Sequence, residues 1–262
     1  MVGMRRLTPP SLRFLLIPLQ PSFYLAYFNT TSAFSGPTGI WMFRQAILLQ
    51  LALSRKVRRA GWLGHYYEFG VHRGGSLVGF HNIKKLYSLF HKELKQMKIF
   101  AFDSFAGLPH DPRDLRDPVW VKGAYSATLD EVRENAKRNK VSGIEYIKGF
   151  YKDTLTDALA EEMKANPPSI VYIDVDLYSS TIDVLNWLDK IALPGAIYVF
   201  DDVWANGNHP DTGELLAHEA LYLGDAKRLE SGDPSKLVVT KVKQEILPSD
   251  RLLVAPKKAG LP

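Results

Sequence analysis

The chain has 262 residues, 46% of them apolar and 23% charged, with no cysteine and a formal net charge of +5. That length buries a full core, and the composition excludes wholesale disorder. Without cysteine, disulfides and thiolate metal sites are ruled out, which leaves carboxylates and histidines as the strong metal ligands. The charge is uneven: of the 33 basic residues eight fall in residues 1–67, which hold no Asp or Glu, leaving 25 against 28 acids, a net of −3 for the remainder. The positive balance therefore belongs to the N-terminal segment. No nucleic-acid reading motif accompanies it, so no nucleic-acid partner is expected.

Residues 1–39 are aromatic and punctuated by proline. Arg5-Arg6 ahead of Phe14-Leu15-Leu16-Ile17 has the look of a signal peptide, but Pro18, Gln20 and Pro21 break the apolar run before it could span a bilayer. The favoured reading is a cap packed on the following domain of a cytoplasmic protein, rather than peripheral membrane contact. From Ile40 to Arg59 the pattern predicts a helix, with Trp41, Phe43, Ile47, Leu48, Leu51 and Leu53 on a broad apolar face. Its basic C-terminal end suits the helix macrodipole. This helix is a candidate homodimer contact, and the expected division is 1–60 as a helical cap or oligomerisation segment and 61–262 as one α/β domain.

Tyr66-Tyr67-Glu68-Phe69-Gly70-Val71-His72-Arg73-Gly74-Gly75-Ser76 reads as a buried strand, a turn with three glycines, and a helix opening at Ser76. Such a turn brings backbone N–H groups and a helix start close to a ligand. Glu68, at the strand's end, is placed to accept hydrogen bonds from a cationic or hydroxyl-bearing ligand. The dinucleotide fingerprint would want glycine at 72, where histidine stands, and no Gly-Lys-Ser/Thr follows as in a phosphate loop.

Beyond the turn the pattern alternates. Helices are predicted over 76–91, 128–139, 153–165, 180–191 and within about 213–229, and strands over 99–103, 144–148, 170–174 and 196–200. Two strands, 237–242 and 251–255, close the chain without a helix between them. The fold expected is a seven-stranded, mostly parallel sheet with helices on both faces and an antiparallel C-terminal hairpin. Ligands of such sheets sit beyond the carboxyl ends of the strands.

Those ends carry the polar residues. The second strand ends in Asp103-Ser104, with Asp103 suited to ribose hydroxyls; the third ends in Gly149-Phe150-Tyr151, where an aromatic ring would wall an adenine. The fourth ends in Asp174-Val175-Asp176 and the fifth in Asp201-Asp202. Asp174 and Asp176 converge on one side if the extended backbone persists. On adjacent strands these acids would repel one another unless protonated or bridged by a cation, and oxygen-only ligands favour magnesium, calcium or manganese. His72, His110 and His209 read as turn or loop polarity near the pocket, and Trp204 as an acceptor wall or a packing residue.

Taken in order, the glycine turn, Phe102-Asp103-Ser104-Phe105-Ala106-Gly107-Leu108-Pro109, Gly149-Phe150-Tyr151-Lys152-Asp153-Thr154-Leu155, Ile173-Asp174-Val175-Asp176-Leu177-Tyr178-Ser179-Ser180-Thr181 and Phe200-Asp201-Asp202 resemble the macrocin O-methyltransferase family over about residues 60–205. The resemblance implies a class I methyltransferase, Rossmann-like fold. It further implies an enzyme that moves a methyl group from S-adenosylmethionine to a hydroxyl of a small molecule, a sugar or glycosylated natural product, with Mg2+ or Mn2+. Carried over residue by residue, it implies donor contacts at Glu68, Gly70, Gly74, Gly75, Ser76, Asp103, Ser104, Gly149, Phe150 and Asp174. It implies metal ligands at Asp174, Asp201 and Asp202, with Asp174 also favoured as the base. Catechol-type relatives place a lysine where this chain has Leu177, which argues against their mechanism. Two other readings stay open: a metal-dependent glycosyltransferase using Asp174-Val175-Asp176, and a non-catalytic binding protein that keeps the fold.

Overall fold

The computed structural model describes residues 49, 52–53, 58–59, 62–114, 121–192, 196–201, 238–240 and 251–254. Two short strands, β1 (Arg58–Arg59) and β2 (Trp62–Leu63), pair antiparallel. The helix expected to run through Arg59 therefore ends earlier. Arg59 pairs with Trp62 and Arg58 with Leu63, a ladder that a helix continuing through Arg59 would exclude.

The main sheet is built on β3 (His65–Phe69), β4 (Ile99–Asp103), β5 (Ile144–Lys148), β6 (Pro168–Ile173) and β7 (Ile197–Phe200). They are parallel in the order β5-β4-β3-β6-β7. Every residue of β3, β6 and β7 is buried, as expected of strands covered on both faces. Side chains alternate between two cores. Tyr66, Ile99, Ala101, Ile170, Tyr172, Ile197 and Val199 face one, with Leu77, Phe80 and Ile83 of α1 (Gly75–Tyr87). Tyr67, Phe69, Phe100, Phe102, Val171, Ile173, Tyr198 and Phe200 face the other.

α2 (Leu129–Arg138) adds Val132 to the first core and starts at a capping box, Thr128 with Glu131. In place of the single helix expected over 153–165 there are two, α3 (Tyr151–Thr154) and α4 (Asp157–Met163). Thr156 breaks the run by capping α4, its hydroxyl accepting from Leu159 N at 3.2 Å. α4 and α5 (Tyr178–Leu188) cover the second core through Ala160, Met163, Val184, Leu185 and Trp187. α1 stops at Tyr87, short of the expected 91, where the Ser88 hydroxyl donates to Lys85 O and a 3-10 turn, Lys92–Lys95, follows.

These five parallel strands with helices on both faces form a Rossmann-like α/β core. Two further described segments, β8 (Val238–Thr240) and β9 (Arg251–Val254), continue the sheet. β9 runs antiparallel to β7, with β8 beyond it. The connection between them, with Pro248-Ser249-Asp250, lies outside the described residues, as do residues 1–48 and the helix expected within 213–229. Leu49, Ala52 and Leu53 belong to the first core, so this part of the predicted N-terminal helix packs on its own chain.

Candidate active site

Strand order reverses between β3 and β6, since β4 and β5 lie to one side of β3 and β6 and β7 to the other. At that point the two strand tips nearly touch. Gly70 has φ +82°, and a Cβ there would sit 1.6 Å from Asp174 O. Only glycine fits; Asp174 N donating to Phe69 O (2.9 Å) seals this contact, while Gly70 N donating to Phe102 O (3.0 Å) ties the same tip to β4.

Above these tips opens a cavity of about 270 Å³. Each strand contributes to its wall: Gly70 and His72 after β3, Asp103 and Ser104 from β4, Gly149, Phe150 and Tyr151 after β5, Asp174 and Asp176 after β6, and Asp201 after β7. The expected site residues Gly70, Asp103, Ser104, Gly149, Phe150, Asp174 and Asp201 are thus brought together. Asp202, Trp204 and His209 lie outside the described residues. Glu68, Gly74, Gly75, Ser76 and His110 do not line the cavity.

Asp103 braces the glycine turn. Its Oδ2 accepts from Val71 N (2.6 Å) and His72 N (3.1 Å), and its Oδ1 from Phe105 N (2.7 Å). The carboxylate expected for a ribose thus already serves three backbone donors. Gly149 has φ +146°, and a Cβ there would meet the Thr154 hydroxyl at 2.3 Å, so glycine keeps α3 close to β5. The Tyr151 hydroxyl donates to Phe102 O at 3.2 Å, and burial, with Asp103 nearby, pushes its ionisation well above the usual phenol range.

Ile173 pairs with Phe200, so Asp174 and Asp201 follow side by side at neighbouring strand tips, with Asp201 N donating to Ile173 O at 2.9 Å. Such strands are about 4.8 Å apart. These two carboxylates suit a hard cation with oxygen ligands. Among the described residues, however, no group of three or more acidic or imidazole side chains is assembled to hold one. The extended backbone does not persist to Asp176: β6 ends at Ile173, Leu177 N turns back to Val175 O, and Asp176 has φ +62°. Asp176 reaches the cavity by this turn rather than by sharing a strand face with Asp174.

A second wall comes from residues 104–111 and from Tyr125. Leu108 and Gly107 are held against residues 123–124 by Leu108 N to Ala124 O and Gly123 N to Leu108 O, both 3.0 Å. The Tyr125 ring meets the His72 ring edge-on at 5.9 Å. Burial pushes the His72 ring below the usual imidazole range. Asp114, in the 3-10 turn Pro112–Asp114, accepts from both Ser179 N (2.8 Å) and the Ser179 hydroxyl (2.6 Å). It caps α5 from 65 residues away, where the local Leu177 offers no side-chain cap. No local sequence signal points to Asp114 or Tyr125; both belong to a long polar connection whose register only the fold reveals.

Glu68 lies beneath the turn, wholly buried, with the Tyr66 hydroxyl 2.6 Å from one oxygen and the Ser76 hydroxyl 2.5 Å from the other. Burial pushes its carboxyl up to about 8 against the pull of these two hydrogen bonds, with Asp103 and Asp201 adding to the rise. No helix among the described residues is long and apolar enough to cross a membrane.

A family model described as macrocin-O-methyltransferase (TylF) matches residues 38–212. The chain is 28% identical over 147 residues to the 8-demethyl-8-(2,3-dimethoxy-alpha-L-rhamnosyl)-tetracenomycin-C 4'-O-methyltransferase of Streptomyces olivaceus, covering 53% of this chain and 52% of that one. It is 27% identical over 154 residues to the mycinamicin III 3''-O-methyltransferase of Micromonospora griseorubida, covering 55% and 57%. The chain thus spans about half the length of the curated relatives it matches. Among solved structures, CalS11, a calicheamicin methyltransferase, superposes with a TM-score of 0.64 at 20% identity over 97% of each chain. The O-methyltransferase NovP gives 0.59 at 19% identity over 83% of this chain and 80% of that one. At such identities these two speak for the fold, a class I methyltransferase core. The family match covers well over half of the sequence, taking in every strand-tip motif that lines the cavity, and on that ground the chain belongs to the macrocin O-methyltransferase (TylF) family.

Proposed function

We propose that this chain is an O-methyltransferase that moves the methyl group of S-adenosylmethionine to a hydroxyl of a sugar or glycosylated natural product, with the help of Mg2+ or Mn2+. The observation that carries the reading is the cavity at the reversal of strand order, walled by Gly70, Asp103, Gly149, Asp174 and Asp201, in a chain of this family. Support for the acceptor class comes from the two curated relatives, named for methylation of glycosylated natural products.

On this reading Gly70, Gly74 and Gly75 shape the donor's end of the pocket, with Ser76 opening the helix behind them. Asp103 and Ser104 face its ribose, and Gly149 and Phe150 border its base. A sulfonium methyl is already activated, so the protein's task is to align an acceptor oxygen with it and to remove that oxygen's proton. Asp174 accepts the proton at its carboxylate. Asp174 and Asp201, completed by Asp202, would hold the divalent ion, whose chemistry is to make an acceptor hydroxyl more acidic. The wall formed by Leu108, Pro109 and Tyr125 excludes water from the reacting side.

The proposal includes a cap at 1–60 on a methyltransferase domain at 61–262, the sheet completed to seven strands by the C-terminal pair, a cytoplasmic protein, and a homodimer. Since Leu49, Ala52 and Leu53 are buried in their own chain, a dimer would use other residues. Calorimetric titration with S-adenosylhomocysteine and, separately, with a nucleoside diphosphate tests the donor. Binding of the first alone agrees with the reading, whereas binding of the second alone would replace it with glycosyl transfer. Loss of turnover on chelation, restored by Mg2+, is expected for the metal; full turnover in excess chelator would remove the ion from the proposal.

A further inference from the structure

Among the described residues, Leu86 (51% exposed), Leu89 (74%) and Phe90 (62%) are large apolar side chains left in solvent within five residues at the end of α1. Single exposed apolar residues are ordinary, but a contiguous group marks a contact surface. The helix buries Leu77, Phe80, Ile83 and Tyr87 on its core stripe, which leaves Leu86 to the outside. Leu89 and Phe90 follow in an ordered turn. Leu89 N donates to Leu86 O (3.2 Å), while Phe90 N (3.0 Å) and His91 N (2.9 Å) both donate to Tyr87 O. The turn presents the three side chains as a fixed apolar knob.

Positive charge rings the knob. Residues 84–98 hold five lysines and one acid, Glu93. Lys84 and Lys85 suit the C-terminal end of α1, and Lys98 pairs with Glu145 at 3.3 Å. Lys92 and Lys95 share a face of the 3-10 turn at its three-residue spacing, and both are exposed, as is Lys85. β2 packs on this turn, and its partner β1 adds Arg58–Arg59 at the same end. Because β3 and β4 run parallel, the segment between α1 and β4 lies at the amino ends of the strands, across the sheet from the cavity. Whatever docks here leaves the cavity open.

Charge decides what covers it. In a two-fold contact the surface meets itself, which would set Lys85, Lys92 and Lys95 against their own copies. The N-terminal segment has the same sign, with eight basic residues and no acid in residues 1–67. A stable protein interface takes about 800 Å² from each partner and a matching socket, whereas a fluid lipid surface closes on a small knob without one. We propose that the end of α1 is a docking point for an anionic lipid surface. Leu86, Leu89 and Phe90 enter the boundary between headgroups and acyl chains, and Lys85, Lys92 and Lys95 meet the headgroup charges around them. The lysine stems cover the apolar rim while their ammonium groups stay in water. The contact is peripheral, and it stands or falls separately from the donor reading above.

The test is flotation of the full chain with vesicles of phosphatidylcholine alone and of phosphatidylcholine mixed equally with phosphatidylglycerol. The wild type is compared with a Leu89→Ser, Phe90→Ser variant and a Lys85→Gln, Lys92→Gln, Lys95→Gln variant, with melting temperatures and sedimentation velocity recorded alongside. All five side chains are exposed, so both variants should melt as the wild type does. The wild type is expected to float with the mixed vesicles, not with the neutral ones, and to be released at about 0.5 M salt. Partition of the serine variant should fall by about tenfold or more. That of the glutamine variant should fall about a hundredfold, at about fivefold for each lysine near the surface. No flotation, equal flotation with neutral vesicles, or a serine variant that floats as the wild type does would each overturn the proposal. A wild-type dimer that dissociates in the serine variant would assign the face to a second copy instead. Binding to a soluble amphipathic helix of Glu and Leu without flotation would assign it to an acidic protein.

Discussion

Alanine at position 70 is the sharpest perturbation this fold offers. The new Cβ would lie 1.6 Å from Asp174 O, against about 3.3 Å for a close carbon–oxygen contact, so the tips of β3 and β6 must part by more than about 1.5 Å. That movement breaks the Asp174 N to Phe69 O hydrogen bond, a net loss of about 1 kcal/mol. The φ of +82° costs an L-residue a further 1–2 kcal/mol or so. The sum, about 2–3 kcal/mol, is smaller than the roughly 5–15 kcal/mol by which domains are stable, so the variant still folds. Gly143→Ala is the control: its φ is +73°, but nothing lies within 4 Å of its Cβ, so only the backbone cost of about 1–2 kcal/mol applies. Urea denaturation should show this difference. S-adenosylhomocysteine titration below the transition should show no measurable binding to Gly70→Ala and unchanged affinity for Gly143→Ala. Equal destabilisation of the two variants, or donor affinity within about threefold of wild type in Gly70→Ala, would refute the idea that the β3–β6 contact shapes the site.

Asp114→Ala leaves Ser179 and the start of α5 without their cap, which should cost about 1–2 kcal/mol and raise the acceptor KM with little change in donor affinity; an unchanged KM would show that the second wall stays seated without it. His65 should make the fold acid-sensitive. Its Nδ1 accepts from Lys98 N, and burial first, then Lys98 and Lys84, push it down to about 4. Between about pH 6.5 and 4 the unfolded chain binds the proton that the folded one refuses, so stability falls with pH across that window, by up to about 3 kcal/mol. Denaturation midpoints of His65→Gln should lose this slope, and an identical slope would assign the acid sensitivity elsewhere. Asp174→Asn and Asp201→Asn should each lower turnover by about a hundredfold or more while keeping most donor affinity; near-normal turnover in both would sink the proposed role of the strand-tip carboxylates.

Much of this site is readable before folding because a parallel sheet does the gathering. Once strands and helices alternate, the residues after each strand must meet at one edge. Gly70, Asp103, Gly149, Asp174 and Asp201 could be named from their place at strand ends alone. Side chains whose partners are set by tertiary register could not. Asp114 meets Ser179 across 65 residues, and nothing in Asp111-Pro112-Arg113-Asp114 says which helix it will cap. Arg58–Arg59 continue a helical run in sequence, yet the chain pairs them back on Trp62–Leu63. Glu68 also stands at a strand end, but its parity with Tyr66 sets it on the α1 side of β3, hydrogen-bonded to Ser76, and it does not line the cavity.

Two acids thus hold one glycine turn, in different ways. Asp103 is reached by three backbone N–H groups, while Glu68 is reached by two side-chain hydroxyls and sits wholly out of water. Val71 N, His72 N and Phe105 N donate to the Asp103 carboxylate, and the Ser104 hydroxyl reaches its Oδ1 at 3.5 Å. A ribose at this site would therefore meet an acid whose orientation is already set by the turn it serves, so little side-chain entropy is left to lose on binding. The same bonds make the arrangement mutual: what moves the turn moves the acid. That is why Gly70 at the tip of β3, Asp103 at the tip of β4 and Glu68 beneath them should respond to mutation as one unit, although only the first two touch the cavity.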